Sequence, residues 1–437
     1  MPILSGRNIV GAGWPQPVVS ELTRRAVKRR ERFAHQRIVR EKLDRMARAA
    51  AHPVHLRARQ VEADVAPRLR LRGVRLRSAT LSPRLLAQTR RLHFASRESR
   101  MKAIAYRQSL PVTDADSLLD VVLPEPVPQG RDLLVKVEAI SVNPVDTKIR
   151  QRVDPQGADK VLGWDAAGTV VAVGADVSLF KPGDAVYYAG AIDRAGSNAE
   201  RQLVDERIVG RKPSSLDFAQ AAAMPLTTIT AWELLFDRLG VPRGSSARSG
   251  VVLVVGGAGG VGSMAIQLAR RLTNFTVVAT ASRDDSRNWA YEMGAHHVVD
   301  HRGDLVAAVK AVAPQGVDVV LSLTHTELHF PALVALLKPQ GKLGLIDDPA
   351  QPLNISLMKS KSLSLHWEFM YTRSLHHTDD MQAQHRLLNE VADLVDAGVL
   401  RTTLRDNLGS INAANLRRAH ARLESASTIG KLVLSGF

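Results

Sequence analysis

Apolar and polar positions change texture twice along the chain. From Met101 onward, short runs alternate or stay apolar: Lys102–Tyr106, Leu118–Val122, Asp132–Ser141 and Gly168–Val173. Pro124, Pro126, Pro128, Gly130 and Gly174 separate them, and period-two runs bounded by such residues predict strands. Phe180-Lys-Pro-Gly-Asp-Ala-Val-Tyr187 adds a turn leading into another strand, so this stretch predicts a compact β domain. Leu216–Leu235 then has helical spacing with a break at Pro225.

The second change comes at Val251–Val255, a wholly apolar run that stops at Gly256-Gly-Ala-Gly-Gly-Val-Gly262 and resumes at helical spacing through Leu272. That order predicts a buried parallel strand, a tight turn and a helix. Strands at Thr276–Ala281, Val298–Val299, Val317–Leu323 and Lys342–Ile346 then alternate with helices at Ser286–Met293, Leu305–Val312 and Phe330–Leu337. Strands separated by helices of this length predict a doubly wound parallel sheet. The C-terminal part returns to mixed texture. Helix Ala383–Ala397 carries Leu387, Leu388, Val391, Leu394 and Val395 on one face, and Gly430–Leu434 predicts a closing strand.

Composition changes this picture at the N-terminus. The 437 residues carry a formal charge of +16, but residues 1–100 hold 24 of the 59 Lys and Arg and only 7 of the 43 Asp and Glu. The remainder has 35 basic against 36 acidic residues, so the excess belongs to an Arg-rich extension and not to the folded body. Three readings compete for residues 1–100: a nucleic-acid- or membrane-binding arm, a transit peptide, and a run upstream of the true start. The third is favoured, because Met101 opens a well-patterned strand, and nucleic acid is then expected as a partner only through this segment. The chain has no cysteine, which excludes disulfides, thiolate catalysis and cysteine-ligated zinc. No apolar run approaches the roughly 20 residues that span a bilayer, and a soluble, cytoplasmic protein is expected.

Chemistry concentrates at the glycine turn. Gly257, Gly259 and Gly262 fit G-x-G-x-x-G between strand and helix, with Gly260 and Val261 inside the motif. This arrangement brings backbone amides against a pyrophosphate at a helix N-terminus. The corner closing the next strand is Ser282-Arg283. An acidic residue there would bind the ribose hydroxyls of NAD, whereas a hydroxyl and a guanidinium suit a 2′-phosphate, so the expected cofactor is NADPH.

Several ordered stretches resemble the medium-chain dehydrogenase/reductase superfamily. They are Glu138-Ala-Ile-Ser-Val-Asn-Pro-Val-Asp-Thr-Lys148, Leu162-Gly-Trp-Asp-Ala-Ala-Gly-Thr-Val-Val171, Gly183-Asp-Ala-Val186, Gly196-Ser-Asn-Ala-Glu200 and the glycine turn. They are most similar to its zeta-crystallin-like quinone oxidoreductases. Ser364-Leu-His-Trp-Glu-Phe-Met370 and Gln384-His-Arg-Leu-Leu-Asn-Glu390 resemble the zinc-type alcohol dehydrogenase-like subgroup. The resemblance covers residues 101–437. It implies an α/β fold: a GroES-like β-rich catalytic domain built from 101–223 and 370–437, with a Rossmann domain, 224–369, inserted between them.

Zinc-dependent members place Cys where this chain has Asn143 and His where it has Trp164, so no metal is expected. A quinone or α,β-unsaturated carbonyl is then the expected substrate, since hydride addition to a conjugated carbon places charge on a remote oxygen that hydrogen-bond donors can meet. By resemblance, Asn143 and Asp146 lie beside the nicotinamide. The Asn143 amide, Lys148, Tyr187 and Tyr188 are candidate donors to the substrate oxygen, Thr228 a cofactor contact, and a homodimer the expected assembly. Two other functions stay open: an NAD(P)-dependent alcohol dehydrogenase, and a nucleic-acid-binding protein using the basic arm.

Overall fold

The computed structural model describes residues 99–244 and 247–437. The basic segment 1–100, with its competing readings, lies outside them apart from its last two positions. The chain opens with β1 (Arg100–Tyr106), β2 (Leu119–Pro124) and β3 (Asp132–Ser141), followed by helix α1 (Pro144–Arg152). Strands β4 (Lys160–Val161), β5 (Ala166–Val173), β6 (Ala185–Tyr188), β7 (Arg201–Asp205) and β8 (Val209–Arg211) complete this part. Helices α2 (Phe218–Ala222) and α3 (Pro225–Trp232) lead away from it, and α3 runs on as a π-helical turn, Glu233–Arg238.

Six parallel strands follow: β9 (Gly250–Val255), β10 (Phe275–Thr280), β11 (His297–Val299), β12 (Val317–Ser322), β13 (Leu337–Leu345) and β14 (Ser364–Trp367). Helices α4 (Gly260–Leu272), α5 (Asp284–Met293), α6 (Leu305–Val312) and α7 (Thr326–Leu336) connect them. The sheet order is β11-β10-β9-β12-β13-β14, so connections run outward on either side of β9 and β12. The crevice at the carboxyl ends of these two strands is a topological switch point, where ligands bind in such sheets.

After β14 the chain rejoins the β part through α8 (Thr372–Leu375), α9 (Ala383–Asp396), β15 (Leu404–Asn407), α10 (Ala413–Glu424) and β16 (Lys431–Ser435). Strands β15 and β16 enter a seven-stranded sheet in the order β15-β16-β3-β5-β6-β8, with β7 also paired to β3. Long, apolar β3 serves three neighbours: β5 pairs along most of its length, β7 with its first half and β16 with its last residues. The result is the α/β fold that the resemblance implies, a GroES-like β-rich part carrying a Rossmann-type parallel sheet.

Several elements were not legible from periodicity. Short β4, β7, β8, β14 and β15 are two to five residues each. Helix α10 hides its buried face, Leu416, Ala419 and His420, among arginines. Helix α7 begins at Thr326, four residues before the expected Phe330, because the Thr326 amide donates to Asp347 Oδ2 at 2.9 Å, a tertiary cap distant in sequence.

Candidate active site

Strand β9 delivers the glycine turn into the switch-point crevice. A Cβ on Gly262 would stand 2.3 Å from the carbonyl oxygen of Gly256, and one on Gly257 would stand 2.8 Å from Ala279 Cβ. The close approach of α4 to the turn and sheet therefore requires glycine at these positions. Gly259 is the N-cap of α4 and makes no side-chain cap, so the first-turn amides of Gly260, Val261 and Gly262 carry no side-chain acceptor. These amides sit at the positive end of a 13-residue helix, an arrangement suited to a pyrophosphate.

At the end of β10, Ser282 is half-buried and Arg283 is exposed. The Arg283 guanidinium donates to the carbonyl of Ser427 at 2.7 Å, which brings the segment before β16 opposite this corner.

The densest polar constellation lies where the turn meets the β-rich part. Gly430 N–H donates to the carbonyl of Ala258 at 2.9 Å, and a Cβ on Gly260 would stand 2.8 Å from both Lys431 Cδ and Thr227 Cγ2. From that edge the Lys431 ammonium, only 4% exposed, donates to Val142 O at 2.9 Å, to Asp165 Oδ2 at 2.9 Å and to Asn143 Oδ1. The Asn143 amide nitrogen donates to Asp165 Oδ2 at 2.8 Å and Trp164 O at 3.2 Å. Asp165 Oδ1 accepts the Leu226 amide at 2.7 Å, at the start of α3. Burial pushes the Asp165 carboxyl above its ordinary range, and the Lys431 charge opposes that rise.

Asp146 lies on α1 beside this group. Its Oδ2 accepts the Asn143 amide N–H at 2.6 Å, while its buried Oδ1 has no partner. Burial raises its pKa to about 7, with the Asn143 amide and the Lys431 charge opposing. The buried Tyr371 hydroxyl is also unpartnered; burial, with the charges of Asp146 and Asp165, holds its pKa well above 10.

The structure thus brings Asn143 and Asp146 together near the glycine turn, with no hydrogen bond from either side chain to the other expected residues. Lys148 is partly exposed and pairs with Asp348 at 3.1 Å, across from α1. The Tyr187 hydroxyl donates to Leu388 O at 2.6 Å. The Tyr188 hydroxyl is buried without a partner, and its pKa is raised by burial alone. Thr228 follows Thr227 on α3, and its buried hydroxyl is unpartnered. Asn143 was expected to offer its amide to substrate, but both its donors and its oxygen are engaged within the protein. Lys431, Asp165 and Tyr371 were not read from the sequence as site residues. A single lysine in the apolar closing strand Lys-Leu-Val-Leu-Ser and an acid inside Trp-Asp-Ala-Ala were the available signals.

The donor set does not suit zinc. The Asn143 oxygen is bonded to an ammonium, and Trp164 Nε1 donates to Ala191 O at 3.1 Å. Among the described residues no group of three or more His, Asp or Glu could hold a metal ion.

Residues 129–225 match the model of the alcohol dehydrogenase GroES-like domain, and residues 293–434 match that of the zinc-binding dehydrogenase. A zinc-type alcohol dehydrogenase-like protein of Staphylococcus epidermidis is 40% identical over 337 residues, 77% of this chain and 99% of that protein. A quinone oxidoreductase of Lama guanicoe is 36% identical over 202 residues, 45% of this chain and 59% of that protein. Among solved structures, a protein of Rhizobium etli CFN 42 provisionally described as a zinc-dependent alcohol dehydrogenase is 54% identical. It superposes with a TM-score of 0.75 and covers 78% of this chain and 99% of that one. A mycobacterial protein solved with NADPH is 28% identical, TM-score 0.66, over 77% of this chain and 99% of that one.

Proposed function

Since the chain belongs to the medium-chain dehydrogenase/reductase superfamily, a family of oxidoreductases, we propose that it is a zinc-independent, NADPH-dependent reductase of quinones or α,β-unsaturated carbonyls. The observation that carries this reading is the Lys431 ammonium bonded to Asn143 and Asp165. It fills with a fixed positive charge the polar pocket where a metal-dependent relative would need ligands. Without a Lewis acid, a conjugated acceptor is easier to reduce than an isolated ketone, because its charge falls on a remote oxygen that hydrogen-bond donors can meet.

The first-turn amides of Gly260–Gly262 would hold the pyrophosphate, and Ser282 with Arg283 the 2′-phosphate. When bound, a reduced nicotinamide supplies a hydride. The protein's part is to orient and to manage charge. Burial raises the Asp146 pKa to about 7, and the Tyr371 hydroxyl, held neutral by burial, lies within its field. These two groups are unpartnered within the protein and could donate to the oxygen that gains charge.

The test is NADPH oxidation by the purified protein against quinones, enals and unconjugated ketones, with and without a chelator, alongside metal analysis. Turnover of quinones or enals that a chelator leaves unchanged is expected. Alcohol oxidation that requires stoichiometric zinc would favour the alcohol dehydrogenase reading instead.

A further inference from the structure

Lys431 is anchored at both ends of its side chain by different parts of the molecule. Its backbone follows Gly430, which is bonded to Ala258 and bridges to Gly259 in the glycine turn. Its aliphatic stem lies against Gly260. Its ammonium has three donors, and all three are used: on Val142 O, Asn143 Oδ1 and Asp165 Oδ2. With no proton left to offer, it cannot serve substrate directly. An ammonium has no acceptor, so it forces the Asn143 oxygen toward itself and leaves the amide nitrogen for Asp165 and Trp164 O. Asp165 in turn holds the amide of Leu226, and the next residue on α3, Thr227, also touches Gly260.

We propose that Lys431 is a positioning residue for the reaction. From the edge of the dinucleotide turn it fixes the Asn143 carboxamide in one orientation and supplies the counter-ion of buried Asp165. This rests on the reading of the glycine turn as a dinucleotide site. The charged and titratable groups facing Asp165 are Lys431 from β16, Asp146 from α1, and Tyr371 from the segment after β14.

The experiment compares wild type, Lys431→Met and the double variant Lys431→Met/Asp165→Asn. Melting temperature of the cofactor-free protein is followed from pH 5 to 9, with NADPH affinity by fluorescence titration and kcat with a quinone. Burial already raises the Asp165 pKa, and losing its counter-ion raises it further. Lys431→Met should therefore melt progressively lower than wild type as pH rises, and the double variant should lose that added slope. Both variants should lose at least about tenfold in kcat, while NADPH affinity stays within about threefold because the Gly430 backbone contact survives. If Lys431→Met fails to fold and the double variant folds, the counter-ion role is supported. Parallel pH profiles for wild type and Lys431→Met, a double variant with wild-type kcat, or failure of both variants to fold would overturn the proposal. A wild type that binds no NADPH would sink the functional reading alone, since the melting comparison needs no cofactor.

Discussion

Substituting alanine at Gly262 and at Gly259 separates what the glycine turn does for the fold from what it does for a ligand. At Gly262 the new Cβ would lie 2.3 Å from Gly256 O and 2.8 Å from Gly257 Cα and C, all backbone atoms that no rotamer change can move. The turn and the start of α4 must part by roughly 1 Å, and overpacking of this kind costs about 1–3 kcal/mol. Alanine regains about 0.5–1 kcal/mol as a better helix former than glycine. The net loss, up to about 2.5 kcal/mol, should lower the melting temperature by up to about 4 °C in a body of this size. The same displacement moves the first-turn amides off the pyrophosphate, so Kd for NADPH should rise more than about tenfold, equivalent to ~1.4 kcal/mol. Gly259 is the control. Its φ of −71° suits any residue, and the nearest atom to its Cβ position, Gly256 O, is 3.6 Å away. Gly259→Ala should melt with wild type, yet its methyl would stand where the pyrophosphate approaches and should also weaken NADPH binding. The assays are differential scanning fluorimetry without cofactor and nicotinamide fluorescence titration. A Gly262→Ala protein with wild-type melting temperature and Kd would refute the packing argument, and wild-type Kd in Gly259→Ala would refute the placement of the pyrophosphate.

Three further outcomes are expected. Arg283→Ala removes a guanidinium now bonded to Ser427 O, and should raise the KM for NADPH about tenfold while leaving that for NADH nearly unchanged; equal losses with both would remove the 2′-phosphate assignment. Burial lifts the Asp146 pKa from 3.8 to about 7, so the native protein holds a proton there that the unfolded chain releases, and stability tied to it falls as pH rises between those values. Asp146→Asn should flatten the melting profile across that window, and an unchanged slope would contradict a neutral Asp146. Glu368 accepts from Arg238 Nε at 2.8 Å, and burial beside Glu233 lifts its pKa to about 9. Glu368→Gln mimics the protonated form, so its melting temperature should climb relative to wild type as pH rises from about 4.5 to about 9, where the unfolded chain has ionised and the native carboxyl has not, and the gap should level off above that; strong destabilisation at pH 7 would show that Glu368 is charged there.

Much of the fold follows from local rules that act within a dozen residues. The apolar run Val251–Val255, the glycines behind it and the helical spacing from Ser263 to Leu272 each prefer one conformation, and together they specify strand, turn and helix before any tertiary contact forms. The alternation that follows leaves little choice but a parallel sheet, and Ser282-Arg283 at the end of the second strand is readable by counting. Tertiary structure decided the rest, because burial and hydrogen-bond partners are not local properties. Lys431 lies 266 residues from Asp165 and 288 from Asn143, yet all three are bonded to one another. Nothing in its own stretch says that a lysine in the closing strand is buried and saturated, or that the Asn143 amide is already engaged. The motif around Asn143 could be found in sequence; whether its side chain is free to act depended on which charge the fold brought to it across the glycine turn.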